Sequence, residues 1–127
     1  MASPPPTLLI VEDNEVARVG LGTVLEKAGY RVDSADNGQT ALDYLGQHPA
    51  PQLILLDMLL PVLDGWLFLE QLGRLNLQPK PPIIITTGSN IIGQEWAAAH
   101  GCAGLVRKPI DTEDLLGQIR RCLGETA

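Results

Sequence analysis

The stretch QLILLDMLLPVLDGW, running from Gln52 to Trp66, decides how the chain folds. Leu53, Ile54, Leu55 and Leu56 form an unbroken apolar run, the pattern of a strand buried on both faces of a parallel sheet. The run ends on one carboxylate, Asp57. Pro61 and then Asp64-Gly65 break the chain into a turn before a helical pattern begins. A lone Asp at the end of a central strand is only a solvated strand end if nothing gathers beside it. It marks a site if other segments converge there.

Outward from that strand, short apolar runs alternate with amphipathic ones. Leu8 to Val11 is a strand ending on Glu12-Asp13. Asn14 is placed to cap a helix carrying Ala17, Leu21, Val24, Leu25 and Ala28 as far as Gly29. Arg31 to Ala35 is a second strand, Asn37-Gly38 a turn, and Thr40 to Gln47 a second helix with Ala41, Leu42 and Leu45. A third helix runs from Gly65 to Leu75, with Leu67, Phe68, Leu69 and Leu72 expected in the core. Ile83 to Thr87 is a β-branched fourth strand, left through Gly88-Ser89-Asn90 into an Ala-rich fourth helix that stops at Gly101. Ala103 to Arg107 makes a fifth strand. Asp111 and Asp114 form a capping pair for a last helix whose Leu115, Leu116, Ile119 and Leu123 face inward. Strands alternating with helices through right-handed crossovers predict an α/β fold with a parallel sheet covered on both faces. One domain is expected over 8–124, with Met1 to Thr7 as a flexible Pro-rich lead unable to pair into a sheet and 125–127 as a tail.

Composition narrows the function. A chain of 127 residues suits a single domain. The net charge is −6, and among nine basic residues only Arg107-Lys108 and Arg120-Arg121 are adjacent. That argues against direct nucleic acid binding. No signal peptide is evident and no apolar run approaches a membrane span, so a cytoplasmic protein away from the membrane is expected. Cys102 and Cys122 lack metal-ligand spacing and are expected to be buried free thiols. Trp66 and Trp96 read as packing residues or modest surface contacts, and His48 and His100 lack a partner pattern for catalysis or metal binding.

Four of the strands end on a polar group: Glu12-Asp13, Asp57, Thr87 and Lys108. In an open parallel sheet such ends share the crevice beyond the carboxyl edge. Taken singly, Glu12 and Asp13 would be first-turn acids, Thr87 a β-propensity choice and Lys108 a surface charge. Together they are a site. Carboxylate pairs at about 5 Å repel by roughly 3 kcal/mol at an effective dielectric of about 20, so the cluster asks for a cation. Hard oxygen ligands favour Mg²⁺ or Mn²⁺. Lys108 adds a point charge suited to a phosphoryl group and Thr87 a hydroxyl donor, which completes a phosphoryl-transfer set.

The segments VEDN (Val11 to Asn14), LLDMLLPVLDG (Leu55 to Gly65), IIITTGS (Ile83 to Ser89) and RKPI (Arg107 to Ile110), in this order and spacing, resemble the receiver domains of two-component response regulators, the CheY-like family. The resemblance spans Leu8 to Leu123. It implies a flavodoxin-like (βα)5 three-layer sandwich with a five-stranded parallel sheet in the order 2-1-3-4-5. It also implies that Asp57 takes a phosphoryl group from a sensor histidine kinase or a histidine phosphotransfer protein. Asp13, Asp57 and the backbone carbonyl of Leu59 would hold Mg²⁺ or Mn²⁺, with Glu12 acting through water. Thr87, Gly88, Met58 and Lys108 would bind the phosphoryl oxygens, and Lys108-Pro109 would be a cis bond. Thr87 and Leu105 would form the switch, and the surface of the fourth helix, fifth strand and fifth helix would address a protein effector. Such a domain phosphorylates and dephosphorylates only itself, so it is not an enzyme in the ordinary sense.

Departures from the family pattern matter too. Three residues before the Lys many receivers carry Tyr or Phe, and here Leu105 stands there. The uncharged Ala103 and Gly104 give little support for dimerisation through the fourth helix, fifth strand and fifth helix, so a single-domain regulator or a receiver from a longer chain is expected. Leu59 and Ser89, at the two variable positions the family sets beside the path of attacking water, do not orient a water, which implies slow loss of the phosphoryl group. Three other readings compete. A haloacid-dehalogenase-like phosphatase needs a second acid where Leu59 stands, and a flavin binder would meet an acidic rim that repels its phosphate. A pseudo-receiver acting only as an interaction module would not need the set Asp13, Asp57, Thr87 and Lys108.

Overall fold

The computed structural model describes residues 4–58, 65–88 and 92–124. The residues Leu59, Pro61, Asp64, Ser89 and Asn90, with residues 1–3 of the lead and the 125–127 tail, lie outside these. In chain order the elements are β1 (Thr7–Val11), α1 (Glu15–Lys27), β2 (Arg31–Ala35), α2 (Gly38–Gln47), β3 (Leu53–Asp57), α3 (Gly65–Leu75), β4 (Ile83–Thr87), α4 (Gln94–Ala99), β5 (Gly104–Arg107) and α5 (Thr112–Cys122). All strand pairs are parallel and the order is β2-β1-β3-β4-β5. This is the flavodoxin-like arrangement expected above.

Side chains alternate across the sheet and so build two cores. Leu9, Val11, Ile54, Leu56, Ile83 and Ile85 pack with residues of α2, α3 and α4, including Ala41, Leu45, Phe68, Leu72 and Ala97. Leu8, Ile10, Leu53, Leu55 and Ile84 pack on the opposite face with Leu25 of α1 and Leu115 and Ile119 of α5. Every residue of β3 and β4 is buried, as the unbroken apolar runs require.

Local chemistry sets the helix starts. The Asn14 side chain accepts from Ala17 N at 2.9 Å, and Gly29 leaves α1 with φ +102°. Asn37-Gly38 is a cap rather than a separate turn: Asn37 accepts from Thr40 N at 2.8 Å, so α2 begins at Gly38. Asp111 accepts from the Glu113 and Asp114 amides, but the Asp114 carboxylate accepts from Gln118 instead of reaching back to close a capping box.

Four further expectations are corrected. Leu67 is 46% exposed while Phe68 is fully buried, because consecutive helical residues turn by about 100° and cannot share one face. Thr7 belongs to β1, and the Pro6 carbonyl accepts from Arg31 N at 2.9 Å; proline lacks a donor but keeps its acceptor. The fifth strand begins at Gly104, not Ala103. Cys102 is buried, but Cys122 near the end of α5 is only half-buried. Both thiols are free.

Candidate functional site

The crevice beyond β1 and β3 holds the acidic group. Glu12 follows β1 and is 2% exposed; Asp57 ends β3 and is 4% exposed; Asp13 faces solvent. One carboxylate oxygen from each lies within 4.8 Å of the others. The neighbouring strands force this meeting, since Val11 pairs with Leu56 and the next residue on each strand reaches the rim. Three hard oxygen donors at this spacing fit a divalent cation, so the residues present match the metal expected from the sequence.

Lys108 reaches the same carboxylates from beyond β5. Its Nζ donates to Glu12 Oε1 at 3.1 Å and to Asp57 Oδ2 at 3.2 Å. Burial of Lys108 works to lower its pKa, but the bonds and charges of Glu12 and Asp57 outweigh it and the net direction is up. The Lys108–Pro109 bond is cis, and so is Gln78–Pro79, which nothing in the sequence singled out.

Thr87 is buried at the end of β4, and its carbonyl accepts from Lys108 N at 2.8 Å. Gly88 is exposed, with open space where a Cβ would stand. Met58 is buried; its N–H donates to the Thr86 carbonyl and its own carbonyl accepts from Gly65 N, each at 3.3 Å. Leu105 is buried in the core shared with α4. Glu12, Asp13, Asp57 and Lys108 are thus brought together, Thr87 and Met58 border them, and Leu59 lies outside the described residues.

Several supporting residues were not visible in the sequence. Arg18 on α1 donates to the Glu12 carbonyl at 2.9 Å and to that of Asp13 at 3.4 Å, which fixes the backbone carrying the acids. Glu12 Oε2 accepts from Asn14 N at 3.1 Å, so this acid is held at both oxygens. Trp66 and Trp96 meet edge to face with centroids 4.5 Å apart, and His100 stacks on Trp96 at 4.0 Å. His48 stacks on Tyr44. Both histidines are therefore packing partners. Val16 and Val19 of α1 are 83% and 59% exposed. Val16 lines a groove of about 640 Å³ that runs from Glu12 and Lys108 past Ala17 to Ile110.

Among the described residues no helix is long and apolar enough to cross a membrane. A family model described as the response regulator receiver domain matches residues 8–120. The chain is 32% identical over 117 residues to protein PilH of Pseudomonas aeruginosa, covering 91% of this chain and 96% of that one. It is 34% identical over 125 residues to response regulator Rre1 of Synechocystis sp., covering 94% of this chain but only 52% of the relative. It therefore spans nearly all of one relative and about half of the other. Among solved structures, chemotaxis response regulator CheY4 of Vibrio cholerae aligns with a TM-score of 0.83 at 27% identity, over 94% of this chain and 99% of that one.

Proposed function

This chain belongs to the response regulator receiver domain family, and from that premise we propose that Asp57 is its phosphoryl acceptor. One observation carries the reading: a buried carboxylate at the end of β3 lies 3.2 Å from an ammonium and within a cluster of two further acids. A carboxylate oxygen of Asp57 would attack the phosphorus of a phosphohistidine. The new P–O bond forms as the P–N bond breaks, and the departing imidazole nitrogen keeps the electron pair and takes a proton. Lys108 would turn from the carboxylates to the phosphoryl oxygens, with Thr87, the Gly88 amide and Met58 beside them. Bound Mg²⁺ or Mn²⁺ would supply charge neutralisation, held by Asp13, Asp57 and the Leu59 carbonyl, with Glu12 acting through water.

The donor is a sensor histidine kinase or a histidine phosphotransfer protein, which places the chain in the cytoplasm. Val16, exposed in the groove that ends at Lys108, and the exposed Val19 on the same helix offer it an apolar helical contact. The domain stores a phosphoryl group and turns over no other substrate, and an effector protein reads the α4-β5-α5 surface. Intact-mass measurement after incubation with Mg²⁺ and a small acyl phosphate or phosphoramidate tests the assignment. The wild type gains one phosphoryl mass and Asp57→Asn gains none. Equal labelling of the variant, or label mapped to another residue, would sink it.

A further inference from the structure

Strand β5 is the sheet edge, so one side of its backbone has no strand partner. Leu105 pairs with Ile85 and Arg107 with Thr87, while Lys108 N donates to the Thr87 carbonyl. Alternation along the strand then turns the Leu105 carbonyl to the open edge. Two amides converge on it: Gln94 Nε2 from the first residue of α4 at 3.2 Å, and Gln118 Nε2 from α5 at 3.1 Å. These helices flank opposite faces of the sheet.

The two amides are held very differently. Gln118 is buried, donates also to the Asp114 carboxylate at 3.3 Å, and its Oε1 occupies the place where a Cβ at Gly104 would fall. Gln94 is exposed. If Gln94 leaves, Gln118 still satisfies the Leu105 carbonyl, and the Gln94 amide passes to water. Opening that bond therefore leaves no buried polar group unpaired.

The helix that Gln94 starts is weakly held by its own chemistry. It has six residues, no side-chain cap at Gly93, and only Ala97 fully buried. A helix this short depends on tertiary ties. A second tie lies close by, where Arg107 Nη2 donates to the Ile92 carbonyl at 2.8 Å. Both ties run from β5 to the start of α4, the segment that the chain enters after Thr87 and Gly88 at the site.

We propose that the Gln94–Leu105 carbonyl–Gln118 bridge is a releasable latch: Gln118 is its fixed half, and Gln94 lets α4 go when the site is phosphorylated. Position 105 thus acts through its backbone, in a chain whose side chain there carries no ring. This rests on Asp57 being the acceptor. A latch that stabilises only the unphosphorylated state must weaken binding of any ligand that favours the other state.

The test measures beryllofluoride affinity in Mg²⁺ for wild type, Gln94→Met and Gln94→Lys, with hydrogen exchange of the α4 amides. Gln94→Met should bind beryllofluoride roughly 2- to 10-fold more tightly, the ratio set by one net hydrogen bond. Its α4 amides should exchange faster without ligand. Gln94→Lys keeps a donor of similar reach and should stay near wild type. Unchanged or weaker binding by Gln94→Met in a wild-type background that takes a phosphoryl group overturns the latch alone. A wild type that gains no phosphoryl mass removes the acceptor assignment, and the coupling with it.

Discussion

Gly65 lies so close to Met58 that a Cβ on it would sit 2.8 Å from the Met58 Cα and 2.7 Å from its sulfur. The first residue of α3 is thereby pressed against the residue that follows Asp57, and Gly65 N closes the gap by donating to the Met58 carbonyl at 3.3 Å. Because backbone as well as side chain blocks the space, Gly65→Ala must displace one of the two segments. Overpacking of this kind costs about 1–3 kcal/mol. Denaturant unfolding should show that loss, and phosphoryl labelling of Asp57 should slow with it. A variant as stable as wild type would mean that α3 can retreat without penalty.

The acidic cluster leads to a metal prediction. Asp13 faces solvent while Glu12 and Asp57 are buried, so a cation can enter from the Asp13 side. Ligand that binds only the folded state adds about 2.7 kcal/mol at 100 times its dissociation constant. Mg²⁺ at that level should raise the melting temperature by roughly 10 °C, and a chelator should reverse it. Asp13→Asn should lose most of the gain. An Asp13→Asn response equal to wild type would take Asp13 out of the metal site.

Much of this was legible in the chain, for a physical reason. β3 and β4 are buried on both faces, so their apolar runs and the polar residues ending them announced both the sheet and its rim. What stayed hidden depends on contacts that no local pattern encodes. Gln94 and Gln118 are ordinary helix residues until their amides meet one edge carbonyl. Trp66 and Trp96 become a pair only when α3 and α4 lie side by side. Leu67 misled because a run of apolar residues on a helix is not a face. Arg18 acts on backbone carbonyls, which carry no sequence signature.

Tyr44 gives a prediction far from the site. Its hydroxyl donates to Asp33 Oδ2, and burial, followed by that bond and the Asp33 charge, pushes its pKa up to about 12. The fold favours the neutral phenol. Its contribution is complete below the unfolded value of about 10 and is lost as pH rises through about 12. Tyrosinate absorbance of the folded protein should show a step near pH 12 that Tyr44→Phe removes. Alkaline loss of stability in that window should be shallower in the variant. A Tyr44 that titrates near 10 in the folded protein would mean the bond to Asp33 does not persist in solution.

Lys108 competes with metal for the same carboxylates, and that sets the sign of two effects at once. Its Nζ bonds Glu12 Oε1 and Asp57 Oδ2, the acids that with Asp13 make the cation site. Lys108→Met removes the ammonium those buried acids share. Breaking a fully buried pair costs about 3–5 kcal/mol. The Lys108 side chain is 34% exposed, so solvent screening reduces this to about 1–3 kcal/mol. Without metal the variant should therefore melt lower than wild type. With the competitor gone, its Mg²⁺ affinity should rise, and saturating Mg²⁺ should recover much of the lost stability. Raising pH should reproduce this reversibly in the wild type. Because the folded pKa of Lys108 is raised, its contribution is complete below the ordinary value of about 10.5 and is lost as pH climbs through the higher folded value. Calorimetric titration with Mg²⁺ and melting curves with and without the ion would decide. Weaker Mg²⁺ binding by Lys108→Met would show that the ammonium shapes the cation site instead of occupying it.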